Sequence, residues 1–486
     1  MGKSDLAHGK SRITGEWKKM TRRDTDRSAM LGTMQMSKLV PKVSVPIMIS
    51  MLVQACYNVV DSVFVSQFDP NGLTAVSLAY PFQMLMLSLA AGMGTGINSL
   101  ISRRLGEKKP EEARRVSWNG LLIEVCGSLL FILIGLLLTG TLMRLVVSEN
   151  LNNAELIFNM GKDYLSIVTI WSLGMFLTIY FERLLQATGN TVHSMITQLV
   201  GAITNIVLDP IMIFGLLGCP QMGVAGAAVA TVIGQWLSAI TGFVLNQWKN
   251  TELRLSWKDF QIVGRDLQGI VAVGFPSSVM QAIGSVMNLG MNAILSGFAE
   301  SNAALNVLSV YFKLQSFIFM PVFGLSTGII AIVAYNYGAR IKQRVYECIK
   351  VALIWAITIM AIGTMIFLAF PQQLMSIFES DVDLALTAQM TQIGVVAMRI
   401  ICTNFILAAI GIILSTVFQA VGKGFYSMMM SISRQLLVLL PVAWLIAKLT
   451  GNVYAVWWCF PIAEAASLVM CLLLYRKCDR EMISKL

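Results

Sequence analysis

The stretch LQATGNTVHSMITQLVGAITNIVLDPIMIFG (185–215) decides the fold, because it carries two signals at once. From Thr191 onward it is an apolar run long enough to cross a bilayer, for which about 20 residues at 1.5 Å each suffice. Its opening, QATGNTVHSM (186–195), returns as QAVGKGFYSM (419–428), 233 residues later. A membrane-length helix whose start recurs in the far half of the chain points to a duplicated bundle of spanning helices.

Working outward, the composition agrees. Of 486 residues 56% are hydrophobic and only 13% charged, with mean hydropathy +0.70. A soluble domain carries about 25% charged residues, so a soluble enzyme, a disordered chain and a secreted disulfide scaffold are excluded. Twelve spans are read at 38–66, 74–102, 117–147, 155–186, 192–217, 223–247, 267–297, 302–337, 347–370, 384–418, 426–448 and 452–475. Basic residues gather in alternate loops: Arg103 to Arg115, Arg183, Lys249 to Arg265, Arg340 to Arg344, Lys423, and Arg476 to Arg480. The intervening loops SQFDPNG (66–72), GLLGCPQMG (215–223), GFAESNAA (297–304) and PQQLMSIFESDVD (371–383) hold no Lys or Arg. By the positive-inside rule both termini are cytoplasmic, and the protein is a multi-pass protein of the cell membrane. That distribution accounts for the net charge of +10 without nucleic acid. The eight cysteines show no C-x-x-C spacing, so neither zinc nor a disulfide frame is indicated. No G-x-x-x-x-G-K-[ST] loop for a nucleotide occurs, and no nucleophile–base set; His8 lies in the tail and His193 at a helix start.

The repeat extends through the chain. Pro46 matches Pro276 and Asn58 matches Asn288 at offset 230; GMGTGI (92–97) matches GLSTGI (324–329) and Gly106 matches Gly338 at 232. Six spans per copy insert both copies the same way round, as a parallel repeat about an axis along the membrane normal. The expected fold is therefore all-α and polytopic, twelve transmembrane helices in two pseudo-symmetric six-helix bundles. Residues 1–37 read as a basic cytoplasmic tail, 38–248 as the first lobe and 249–266 as a cytoplasmic linker. The second lobe covers 267–476, and a cytoplasmic tail covers 477–486. The G-x-x-x-G spacings read as helix packing.

A charge at membrane depth costs at least about 2.5–3.5 kcal/mol and marks a functional candidate. Asp61 and Asp209 lie at similar depths, about 10–12 Å below the outer ends of their helices. Tyr57 shares a face with Asp61 at i, i+4, Asn58 at i, i+3, and Asn205 with Asp209 at i, i+4; Thr231 reaches the same layer. Such a cluster binds a proton or a hard cation such as sodium. The repeat places Met291 opposite Asp61, Val438 opposite Asn205 and Val442 opposite Asp209, so an ion site confined to the first half is expected. Glu124 and Arg434, near cytoplasmic helix ends, read as snorkelling; Glu464 reads as lining a cavity and Arg399 as needing a partner. Lys313, Met291 and Asn288 are candidates for a substrate cavity, and the thirty methionines suit an adaptable apolar one.

VDSVFVSQF (60–68), LQATGNT (185–191), LDPIMIFG (208–215), GVAGAAVATVIGQ (223–235), YNYGA (335–339) and FPIAE (460–464), in this order, resemble the multidrug and toxic compound extrusion (MATE) family over 38–476. The resemblance implies twelve helices in a V of two lobes and export of organic, often cationic amphipathic compounds in exchange for protons or sodium. It implies that Asp61, Asn205, Asp209 and Thr231 couple the ion, and that Pro46 is a hinge. One branch of the family has acidic ligands in helices seven and ten; PSSVMQAIGSVMN (276–288) and ICTNFILAAIG (401–411) contain none, which favours the branch with its ion site in the N-terminal lobe. The expected protein is thus an antiporter and not an enzyme, a monomer among membrane lipids, with small organic substrates, no cofactor and no nucleotide. A flippase for lipid-linked oligosaccharide is the alternative.

Overall fold

The computed structural model describes residues 27–147, 153–377 and 384–486; His8 and the loop residues 378–383 lie outside the described residues. All regular structure among the described residues is helical. Eleven helices are long and apolar enough to span: α1 Met36–Phe68, α2 Asn71–Gly106, α3 Pro110–Leu137, α5 Thr191–Phe214, α6 Val224–Lys249, α7 Gly264–Leu295, α8 Ser301–Gly338, α9 Lys342–Ala369, α10 Ala385–Ala420, α11 Gly424–Thr450 and α12 Val453–Ile483. The pair Ala154–Ile170 and Leu173–Ala187, together α4 and bent by 48°, is long and apolar enough to cross if the two count as one span. The chain is an all-α polytopic membrane protein of eleven to twelve apolar helices. Local chemistry sets the ends. Pro70 and Pro110 occupy first-turn positions, where no backbone N–H is needed. The Asp69 carboxylate caps α2 by accepting from the Asn71 amide at 2.8 Å, and Gly215 and Gly451 close α5 and α11 in the left-handed region.

Contacts between the halves come in pairs related by the repeat. A methyl group on Gly92 would collide with Ser278, and one on Gly324 with Met48; 92 and 324 are repeat mates, as are 48 and 278. Likewise Gly96 meets Ile270 and Gly274, while Gly328 meets Ser44. Gly106 lies against the Tyr335 carbonyl, and its mate Gly338 against the Arg103 carbonyl. α2 thus runs along α7 and α8 along α1, backbone against backbone, which only glycine permits. Hydrogen bonds extend the seam toward the Arg-rich end. Ser99 Oγ donates to the Gln419 and Ala420 carbonyls at 2.9 and 3.1 Å, and Arg115 Nε to Asp266 at 2.7 Å.

Three expectations are corrected. The segment 1–37 reads as a basic tail, yet in its described part, from residue 27 on, Leu31 is fully buried, and its carbonyl accepts from Asn336 Nδ2 at 2.9 Å and Arg344 Nη2 at 3.1 Å. The tail 477–486 is helical to Ile483, itself fully buried, and Tyr346 donates to Asp479. Both segments hide apolar side chains against the bundle, a gain that charge counting overlooks. Third, α3 begins at Pro110 rather than 117, because its first turn is charged and projects beyond the apolar run. Glu124 therefore lies about four turns into its helix, and it is 1% exposed. It does not snorkel.

Candidate ion-coupling site

The first-half candidates meet between α1, α5 and α6. The small-residue face of α6 lets α5 approach closely: a methyl on Gly234 would sit 2.8 Å from the Gly201 carbonyl and 3.5 Å from Asn205 Cβ. This brings Asn205 onto Thr231. The Asn205 amide spends both hydrogens, one on Asp209 Oδ1 at 3.2 Å and one on Thr231 Oγ1 at 3.1 Å. Asp209 is fully buried, with Asn205 at 3% and Thr231 at 7% exposure. Asn205 Oδ1, Asp209 Oδ2 and Asp61 Oδ1 are buried without a hydrogen-bond partner. Asp61 and Asp209 lie close enough to feel each other's charge. No ion pair to either carboxylate occurs among the described residues.

Three unpaired buried acceptors, on residues within electrostatic reach of one another, form a strongly electronegative spot. Its chemistry suits a proton or a small hard cation, and nothing in it suits an anion. Phe64 and Phe68 stack edge-on against Phe214 at 6.5 and 6.2 Å, closing the Arg-poor side of the same helices.

Tyr57 is half-buried and within electrostatic reach of both carboxylates and of Tyr80. Asn58 is exposed, with only its carbonyl engaged, by Ser62 at 2.8 Å. The sequence reading missed Tyr164, which is 3% exposed, within reach of Asp61, Tyr57 and Asp209, and hydrogen-bonded to Gln83 Oε1 at 3.5 Å. The repeat held the signal: Tyr164 corresponds to Ala397, losing its polar group in the second half as the aspartates do. Pro46 sits inside an unbroken α1, and its carbonyl accepts from Ser50 Oγ at 3.1 Å. Lys313 and Asn288 are exposed. Met291 is fully buried in the second half's apolar core rather than on a cavity wall.

Comparison with known proteins adds the family. Its profile, MatE, matches residues 46–211 and 276–445, one copy in each half and more than half the chain. The chain belongs to the MatE family. MatE proteins are secondary transporters, not enzymes. Relatives include the multidrug export protein MepA of Staphylococcus saprophyticus, 27% identical over 91% of this chain and 94% of that protein. The protein of the same name from Staphylococcus haemolyticus is 26% identical over 85% and 88%. Among solved structures, a MATE protein in complex with MaL6 superposes with TM-score 0.86 at 24% identity, over 94% of this chain and 99% of that one. A multidrug resistance MATE family transporter of the MOP superfamily in an outward-facing conformation gives 0.85 at 24%, over 94% and 98%.

In the second half of this MatE protein the polar residues are arranged differently. Arg434 Nη1 reaches both Glu464 oxygens, at 3.4 and 3.3 Å, so the snorkelling arginine and the cavity-lining glutamate are each other's partners. Arg434 is the repeat mate of Gly201, and a π-helical turn, Ser433–Leu439, surrounds it. The wider turn gives an arginine room where the first half needs a glycine. Replacing Arg434 by Gln leaves Glu464 buried and unpaired. Breaking such a pair costs about 3–5 kcal/mol, and the long N···O distances put this one near the lower end. A clear drop in thermal midpoint is expected for the detergent-purified variant, largely recovered when Arg434→Met is combined with Glu464→Leu. An unchanged midpoint in the single variant means the pair holds nothing together.

Proposed function

We propose that the chain is an antiporter that exports organic, cationic amphipathic compounds in exchange for protons or sodium by alternating access. The observation carrying this reading is the set of three unpaired buried oxygens on Asp61, Asn205 and Asp209, in the first half only. A permanently empty anionic pocket at membrane depth is costly, so its retention makes sense if a cation visits it. Export of drugs is supported by the relatives, which are multidrug export proteins.

Two six-helix lobes, 38–248 and 267–476 joined by the linker 249–266, rock about the glycine seam. With the Arg-rich end and both termini cytoplasmic, the closed seam faces inward and the ion site lies toward the outside. Ion entry neutralises the carboxylates, favours bending of α1 at Pro46 and releases substrate outward. The lobes then reverse, the ion leaves, and substrate loads from the cytoplasm onto a cavity that includes Lys313 and Asn288. Tyr57, Asn58 and Thr231 complete the ion-coupling set. One proton supplies about 1.4 kcal/mol per pH unit and each charge about 2.3 kcal/mol per 100 mV, enough to concentrate a cation outward. A lipid-linked sugar would want a cationic cavity, whereas Arg434 is bound to Glu464.

The test is efflux of a fluorescent organic cation from proteoliposomes, with pH and sodium gradients imposed separately. Efflux driven by one of them identifies the ion. Efflux indifferent to both, with lipid translocation present, overturns the reading.

A further inference from the structure

A second buried charge cluster lies in the first half, on helices α3 and α4 where they pack against α2. Glu124 is 1% exposed and neither carboxylate oxygen has a hydrogen-bond partner. Glu182 is 7% exposed, with Oε1 unpartnered. Arg183 lies within electrostatic reach of both glutamates, and its stem crosses α2 at Gly94, where a methyl would sit 2.9 Å from Cγ. Its Nη1 donates to Gln186 Oε1 at 2.8 Å, and Gln186 Nε2 in turn to Ser194 Oγ at 2.9 Å. Tyr180, the other titratable group facing Glu124, gives its O–H to the Ser117 carbonyl. On the packed face of α7, Asp266 is taken by Arg115. Arg183 thus commits one nitrogen to Gln186, keeps a buried, unpartnered Nε and stays within electrostatic reach of Glu124.

Buried polar side chains also occur along α2, between the depth of the ion site and the Arg-rich end. Tyr164, beside Asp61 and Asp209, bonds to Gln83 on α2. Further along α2, Ser88, Thr95, Asn98 and Ser102 recur on one face and are all buried. The Ser88 hydroxyl and Asn98 Nδ2 have no partner, and Ser102 bonds to Asn98 and the Ala187 carbonyl at 3.2 Å. Gln83 to Ser102 covers about 28 Å of helix. The repeat supplies a separate argument. Glu124, Glu182 and Arg183 correspond to Ala356, Ser415 and Thr416, and in the second half a Ser326–Thr416 hydrogen bond stands where Gly94 meets Arg183. The charge cluster, like the ion site, belongs to one half.

We infer that Glu124 is a second proton site, loaded and emptied in each cycle, through which the proton passes between the Asp61/Asp209 site and the Arg-rich end. In the transfer the O–H bond of an aspartic acid breaks and one on the Glu124 carboxylate forms, with hydroxyls and water between. Arg183 balances the charge when Glu124 is empty, and the proton leaves past Glu182. This rests on the proton arm of the coupling proposed above.

Infrared spectra of purified protein, with and without a fluorescent organic cation and across a pH series, test Glu124 directly. The expected result is a carboxylic-acid C=O band that Glu124→Gln removes and that substrate addition shifts or weakens. A band untouched by Glu124→Gln, or one blind to substrate at every pH, overturns the inference. In proteoliposomes Glu124→Gln is expected to slow pH-driven efflux by about tenfold or more, with Glu124→Asp intermediate. Counterflow at symmetric pH, which needs no net proton movement, falls far less; a misfolded protein loses both. Efflux that survives Asp61→Asn and Asp209→Asn removes the coupling reading while the infrared result still decides Glu124. Wild-type pH-driven efflux in Glu124→Gln removes the second site alone.

Discussion

Asp209→Asn and Asp61→Asn each abolish gradient-driven efflux from proteoliposomes, by about a hundredfold or more, and neither lowers the protein's thermal midpoint. The first half of that expectation follows from charge. An amide in either position can neither take up a proton nor offer a full negative charge to a cation, so the gradient has nothing to act on. The second follows from the hydrogen-bond count. Asp209 accepts one bond, from Asn205, and leaves Oδ2 buried and bare, so the native carboxylate is a cost to the fold. Removing an unpaired buried charge is neutral or stabilising, whereas removing a structural partner is destabilising. The sign of the midpoint shift therefore separates a coupling site from helix glue. Glue predicts a lower midpoint with efflux intact; coupling predicts lost efflux with the midpoint level or raised. Thr231→Ala is the graded control. It removes one hydrogen bond worth about 0.5–1.5 kcal/mol, and it is expected to weaken ion dependence and lower efflux severalfold without abolishing it. Both readouts come from the same purified proteins, by thermal unfolding in detergent and by dye efflux.

Most of the helix frame was legible because spanning helices report themselves locally. An apolar run, a charge at each end and a proline or glycine at the boundary suffice, and the sequence boundaries generally fall within a few residues of the observed ones. α3 slipped further because its amphipathic first turns are charged, which a hydropathy reading assigns to a loop. Asp61, Asn205 and Asp209 were legible for a different reason. Each is a polar group at membrane depth whose repeat mate is apolar, so the second half serves as a built-in reference. Tyr164 and Glu124 carry the same mark, since their repeat mates are Ala397 and Ala356, and the charge of Arg183 is likewise missing from its mate, Thr416. What the pattern could not carry was partnership between distant spans. Arg434 and Glu464 are 30 residues apart on neighbouring helices, and no periodicity says which face of each turns to the other. The buried ends, Leu31 and Ile483, were hidden for the same reason, since docking depends on a surface assembled from both halves.

Tying Ser44 to Gly328 should stop transport outright. The two residues face each other across the α1–α8 seam, and a Cβ built on Gly328 falls 3.1 Å from Ser44 Cβ. Disulfides want about 3.5–4.5 Å between Cβ atoms, so the helices need relax by only a few tenths of an ångström. With the eight native cysteines replaced by alanine, Ser44→Cys/Gly328→Cys is expected to transport when reduced, to lose all efflux when oxidised, and to recover on adding reductant. The repeat-related α2–α7 contact offers no such pair, because a Cβ on Gly96 falls 2.2 Å from the Ile270 carbonyl. Opening the Arg-rich end requires both contacts to part, and a covalent bond of fixed length forbids it. The lock lies on the Arg-rich side of Pro46, so it leaves the Asp61/Asp209 pocket and the bend of α1 untouched. Oxidised protein should therefore still bind the organic cation in detergent, with the same sensitivity to the coupling ion as the reduced form. Efflux that persists in fully cross-linked protein would mean that this seam stays shut throughout the cycle and that substrate enters by another route. Lost binding in the oxidised form would instead place the cation site inside the seam itself, on the far side of Ser44 from the aspartates.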